Sequence, residues 1–163
     1  MQDITTARQI LARDMAEATE PDQVFAALHR FSDAVVGGRL FTIMTVDMQA
    51  GLARRAYTSH PVDYPASGTK PINRDRWFDH VHIGNQTFVA NTLAEIATVF
   101  PDYELIGSLG CGSVANLPVR LSGELVATVN ILDAEGYWTD ERLALLHAEL
   151  PVPALAAMAL ARR

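Results

Sequence analysis

Residues 114–133, VANLPVRLSGELVATVNILD, decide the fold. Two runs rich in aliphatic and β-branched residues flank Ser122-Gly123, and such a pair joined by Ser-Gly is the signature of a tight hairpin. The strands therefore cover 114–121 and 124–133. Counting outward from the turn, Leu121 faces Glu124, which sets Leu117 opposite Thr128 and Ala115 opposite Asn130 on one face. The other face, with Val114, Pro118, Ala127 and Val129 beside Asn116, is mostly apolar and suits packing against helices. Thr128 and Asn130 are thus candidates for the wall of a pocket, with the alternative that Asn130 stitches a neighbouring loop.

A second hairpin lies upstream. RLFTIMTVD (39–47) is apolar on both alternating faces, as a central strand is, and ARRAYTS (53–59) follows across Gln49-Ala50-Gly51. Alternation aims Arg55 and Tyr57 the same way. Two helices precede these strands. In the first, residues 3–18, Ile4, Ala7, Leu11, Met15 and Ala18 recur at helical spacing. In the second, Thr19 is the expected cap, Val24, Leu28, Phe31 and Val35 form the stripe, and Gly37-Gly38 ends it. A helix over 73–84 capped by Asn73, a short strand in TFVAN, a short helix over 93–100 and a polar, then glycine-rich stretch over 102–112 lead to the closing hairpin. A last helix carrying Leu143, Leu146 and Leu150 bends near Pro151 and Pro153, and its alanine-rich end is expected to pair with the first helix. The order predicts one α+β domain over 1–163. Its mainly antiparallel sheet has five to six strands, with helices on both sides.

The chain has 163 residues, 49% of them hydrophobic and 20% charged, and a formal charge of −6. That balance fits a soluble globular domain and offers no basic field for nucleic acid. Its lone Cys111 excludes an internal disulfide and a multi-cysteine metal site. The polar start MQDITTARQI is no signal peptide, and no apolar run reaches the roughly 18 residues of a membrane span, so a cytoplasmic location is expected.

RLFTIMTVD as first strand, then GCGSVANLPVRLSGELVATVNILD and YWTDERLALLHAEL as closing hairpin and final helix, resemble a GAF domain from about residue 21 onward. The resemblance implies a stand-alone, signalling-type sensor of the kind bacteria use. A small polar or anionic metabolite would lie between the sheet and a lid formed by residues 59–112. Glycine, not histidine, follows Cys111, and no NKFDE-like signature is present, so the resemblance does not extend to bilin-attaching or cyclic-nucleotide-binding members. FPDYELIGSLGCGSVANLPV is distantly similar to free methionine sulfoxide reductase, whose further cysteines this chain lacks. That similarity implies the alternative of a small cysteine-dependent enzyme, a reductase or hydrolase acting through Cys111.

Cys111 reads either as a catalytic thiolate against the pocket or as a small buried hydrophobe. Arg55 could clamp a carboxylate beside a Tyr57 wall, or simply protect an edge strand. The lid stretch SHPVDYPASGTKP (59–71) supplies Ser59, His60, Tyr64, Ser67 and Lys70, stiffened by three prolines; the alternative is a rigid, solvated surface loop. Trp77 is an aromatic lid or a core residue. His80 and His82 diverge on a helix and have no third ligand, so neither a metal nor any other cofactor is expected. The Ile4, Leu11, Met15 stripe with Leu155 and Met158 suggests a homodimer formed through the first and last helices.

Overall fold

The computed structural model describes residues 3–162. The chain forms two compact units, one holding the segments up to Gly38 and from Asp140 onward, the other Arg39–Thr139.

The first unit is helical: α1 (Ile4–Glu17), α2 (Pro21–Val35) and, after the sheet-bearing segment, a C-terminal helix pair, Asp140–Glu149 and Pro151–Ala161. The Asp3 carboxylate caps α1 by accepting from the Thr6 amide at 3.2 Å. Glu20, not Thr19, holds the cap position of α2, because the Gln23 side chain folds back to accept from the backbone amides of both Thr19 and Glu20. α1 buries Ala7, Leu11 and Met15, and it packs on α2. The expected pairing of the alanine-rich end with the first helix is replaced by packing of Pro151–Ala161 on α2, which buries Ala154, Ala157 and Met158. Leu11, Met15 and Met158 are buried within this helical unit, and Leu155 alone of the expected dimer stripe is exposed. The two C-terminal helices meet at 45°, as Pro151 opening the second of them requires. Among the described residues no single helix is long and apolar enough to cross a membrane.

The second unit carries the sheet: β1 (Leu40–Asp47), β2 (Leu52–Thr58), β3 (Lys70–Pro71), β4 (Phe88–Ala90), β5 (Ser113–Leu121) and β6 (Glu124–Asp133). Their order is β3-β2-β1-β6-β5-β4, antiparallel throughout. This is an α+β fold. Between β3 and β5 lie α3 (Arg76–Phe78), which runs into a π-helical turn (Asp79–Ile83), then α4 (Leu93–Ala97) and α5 (Tyr103–Ser108). With α3 to α5 placed, the C-terminal pair becomes α6 and α7. Asp75, rather than Asn73, caps α3, its carboxylate accepting from the Phe78 amide at 2.9 Å. Ser122 and Gly123 turn the closing hairpin with φ of 53° and 82°, the double positive value of a type I′ turn.

Two one-residue bulges break the registers counted from sequence. Past Arg120–Leu125 the ladder skips Val126, so Asn116 pairs with Asn130, Pro118 with Thr128 and Val114 with Leu132. Asn116 and Val114 thereby move to the face of Thr128 and Asn130, and Ala115 and Leu117 leave it. In the first hairpin Ala56 is skipped, pairing Arg55 with Met44 but Tyr57 with Ile43. Arg55 and Tyr57 therefore face opposite ways.

Asp14 accepts from Arg30 at 2.8 Å and from Arg13 at 2.9 Å, and these hydrogen bonds, Arg30's first, hold its carboxyl below the ordinary value. The resulting stabilisation is full above the unfolded pKa of about 4 and fades as pH falls through the lower folded value. Asp14→Asn is expected to lower urea stability at pH 7, with a difference from wild type that shrinks as the pH falls below about 4. Equal stability at pH 7 would show that these ion pairs contribute nothing.

Candidate functional site

A cavity of about 210 Å³ lies on one face of the sheet, under the segment that connects β2 to β5. Its floor comes from three neighbouring strands: Thr42 and Met44 on β1, Thr128, Asn130 and Leu132 on β6, and Val114 and Asn116 on β5. Arg55, Tyr64, Lys70 and Trp77 line it from β2, the lid and α3, and Phe100, Pro101, Asp102 and Ile106 from the segment entering α5.

The polar part of the floor is a directed chain. The Trp77 indole N–H donates to Asn116 Oδ1 at 2.9 Å, Asn116 Nδ2 donates to Asn130 Oδ1 at 2.7 Å, and Asn130 Nδ2 donates to Thr42 Oγ1 at 3.2 Å. An indole nitrogen only donates, so it dictates which end of the Asn116 amide faces it, and each later group follows. Thr128 is 1% exposed, and its hydroxyl has no hydrogen-bond partner among the described residues.

Arg55 ties the lid to the sheet. Its guanidinium donates to the Pro65 carbonyl at 2.9 Å and lies 3.6 Å from the centroid of the Tyr64 ring. One of its nitrogens sits 3.7 Å from Asp102 Oδ2. The Tyr64 hydroxyl donates to the same carboxylate oxygen at 2.5 Å. Burial, reinforced by that carboxylate, pushes the Tyr64 phenol well above its usual pKa, so it remains a donor. Ser67 adds a backbone and a side-chain bond to Arg55. The guanidinium expected to await a ligand is thus already bonded within the lid, while Lys70, exposed on β3, makes no ion pair among the described residues.

Five sequence candidates, Tyr57, Ser59, His60, Ser67 and Cys111, do not line the cavity. The Ala56 bulge turns Tyr57 onto Phe41, ring centroids 6.0 Å apart. Ser59 accepts from the Phe41 amide at 2.9 Å and bonds His60 Nδ1 at 2.8 Å. Cys111 is 3% exposed, in a cluster with Leu40, Ile96, Ile106, Val114 and Leu132. Its glycine neighbours have structural work. The amide of Gly110, at φ 80°, bonds Gly107, and that of Cys111 bonds Ile106, a Schellman ending for α5. That capping pattern ends α5 at Ser108, inside a stretch that the sequence marks only as polar and then glycine-rich. Burial raises the Cys111 thiol to about 11. His80 and His82 diverge, one bonded to the Thr87 carbonyl and the other packed on Phe78. Among the described residues no three His, Cys, Asp or Glu side chains group as metal ligands.

Sequence reasoning missed Asn116, Thr42 and Asp102. Asparagine within the apolar run SVANLPV was the available signal for the first. Thr42 and Asp102 join the site through a cross-strand pairing and a helix entry that no local pattern marks.

No family model matches the sequence, and no curated protein does. Solved structures do match. The GAF domain of a two-component sensor histidine kinase from Bacillus halodurans superposes with a TM-score of 0.70 at 13% identity, over 88% of this chain and 97% of that one. The phycocyanobilin-bound GAF domain of a cyanobacterial phytochrome gives 0.71 at 12%, over 99% and 96%. Free methionine-R-sulfoxide reductase from Neisseria meningitidis, in complex with its substrate, gives 0.62 at 19%, over 99% and 94%. At these identities the likeness is one of fold, and that fold is the GAF fold.

Two outcomes follow from this geometry. Arg55→Ala removes a carbonyl bond, a cation–π contact and an ion-pair partner from a side chain 12% exposed, and should cost about 1–3 kcal/mol. Limited proteolysis should then cut within 59–71 faster than in wild type; unchanged stability and cleavage would deny Arg55 its strut role. A thiol raised to about 11 leaves a thiolate fraction on the order of one in ten thousand at pH 7. Iodoacetamide should therefore label Cys111 at least about a hundredfold more slowly in the folded protein than in urea, and equal rates would contradict its burial.

Proposed function

We propose that this GAF-fold chain is a sensory module that binds a small polar or anionic metabolite between its sheet and the 59–112 lid. The observation that carries the reading is the cavity floor, where an oriented amide chain and a buried, unpartnered hydroxyl face a lined space rather than packed core. Buried polar atoms without partners are rare in native proteins and concentrate where something else supplies the bond. Size narrows the occupant. About 210 Å³ falls below the roughly 300 Å³ at which sites begin to take drug-sized ligands, so a metabolite fits and a tetrapyrrole does not. A single, buried, unpaired cysteine suits a protein of the reducing cytoplasm. The alternative of Cys111 chemistry gains no support from a buried thiol whose pKa is raised.

A thermal-shift panel of amino acids, organic acids, sugar phosphates and nucleotides tests the reading. A true ligand at about a hundred times its Kd adds about 2.7 kcal/mol, or roughly 5–10 °C for a chain of this size. Val114→Phe, which fills one end of the cavity, should abolish the shift. A silent panel, or a shift indifferent to Val114→Phe, would refute binding at this site.

A further inference from the structure

We infer that the cavity selects a small organic carboxylate with a short apolar tail, held with its acid end toward Thr128 and its tail toward Val114 and Leu132. The inference rests on the metabolite-binding reading above and adds the ligand's chemical class and orientation.

Cross-strand pairing sorts the cavity into bands. At one end Val114 and its cross-strand partner Leu132 form an aliphatic row, completed by Ile106. Asn116, Asn130 and Thr42 make the next row. Pro118, Thr128, Met44 and Arg55 make the third, and Lys70, paired with Ala53, follows on the edge strand. Apolar surface thus gives way to hydroxyl and Arg55 along about 13 Å of strand, with Lys70 one row beyond. An occupant that matches the gradient is amphipathic.

The sign of its polar end follows from the charges that line the cavity, and its bonding from the hydrogen-bond chain. Donation runs from Trp77 to Thr42, so the Thr42 oxygen is an acceptor already used and its proton is what it has left to give. The Thr128 hydroxyl adds a second proton with no acceptor among the described residues. Of the three charged residues lining the cavity, Arg55 faces Asp102 and Lys70 is left over, a net positive charge. The unbalanced Lys70 cation sets the sign of the occupant's polar end, and both hydroxyls have a proton to give it; an ionised carboxylate supplies the negative charge and accepts both protons. Inorganic phosphate meets the polar end but leaves the aliphatic row empty. The Thr128 hydroxyl is covered, and its cross-strand neighbour is Met44, an unbranched side chain whose flexibility lets an occupant displace it.

Calorimetry at pH 7 with 4-methylpentanoate, 4-methylpentanamide and inorganic phosphate tests the assignment. The carboxylate should bind, with the amide and phosphate each about tenfold weaker or worse. Thr128→Val should weaken the carboxylate at least about fivefold while leaving the free protein as stable or more so, since a buried unpaired hydroxyl is removed. Thr128→Ser, which keeps the hydroxyl, should stay within about threefold of wild type. Equal binding of amide and acid, tighter binding of phosphate, or indifference to Thr128→Val would overturn the carboxylate assignment while leaving metabolite binding in place. Silence toward all three probes also overturns it; if the metabolite panel still shifts the melting temperature, the broader reading survives, and if the panel is silent as well, both fall.

Discussion

A 2.7 Å hydrogen bond between two asparagine side chains, Asn116 and Asn130, sits at the centre of the cavity floor. Both residues are at least nine-tenths buried, where an unpaired amide costs about 1–3 kcal/mol. The bond exists because β6 carries one residue more than β5 can match, and the skipped Val126 brings the two amides onto one face. Without the bulge, Ala115 and Leu117 would floor the cavity. Trp77 would then lose the acceptor of its indole N–H, and nothing would orient α3 over the sheet at that point.

The lid depends on this floor from the other side. Tyr64, Pro65 and Ser67 come from a loop whose backbone is limited by three prolines, and all three are fastened to Arg55. Asp102, at the entry to α5, takes the Tyr64 proton bond and faces the same guanidinium. Thus β2, the 59–71 loop and the start of α5 are joined by one cluster before any ligand arrives. Such preorganisation lowers the ordering cost of binding.

The parts of this fold that local rules control were legible in the sequence. Ser122-Gly123 named its own turn, the heptad-like stripe Ala7, Leu11, Met15 named α1, and Pro151 named the bend between α6 and α7. What could not be read was set by tertiary packing. Neither bulge leaves a mark in its strand, because Ala56 and Val126 are ordinary strand residues, yet each inverts the faces beyond it. That is why Arg55 lines the cavity while Tyr57, two residues away, does not, and why Asn116 lies on the face opposite to the one that counting from the turn predicts. The Gly-Cys-Gly stretch is also set by its surroundings: Gly110 ends α5, and the Gly112 amide bonds Asp133 where the chain enters β5. Thr128 and Asn130, which line the cavity, stand out in sequence because a polar residue in an apolar strand is informative whatever its register.

The most direct test of the account is two-dimensional 15N NMR of the protein during titration with metabolites that raise its melting temperature. The Trp77 indole and the side-chain amides of Asn116 and Asn130 report the floor atom by atom. The account predicts that these three signals shift together and saturably, at the same concentration as the backbone amides of Thr128 and Tyr64. Saturable shifts confined to other residues, with the indole and both side-chain amides unmoved, would contradict it.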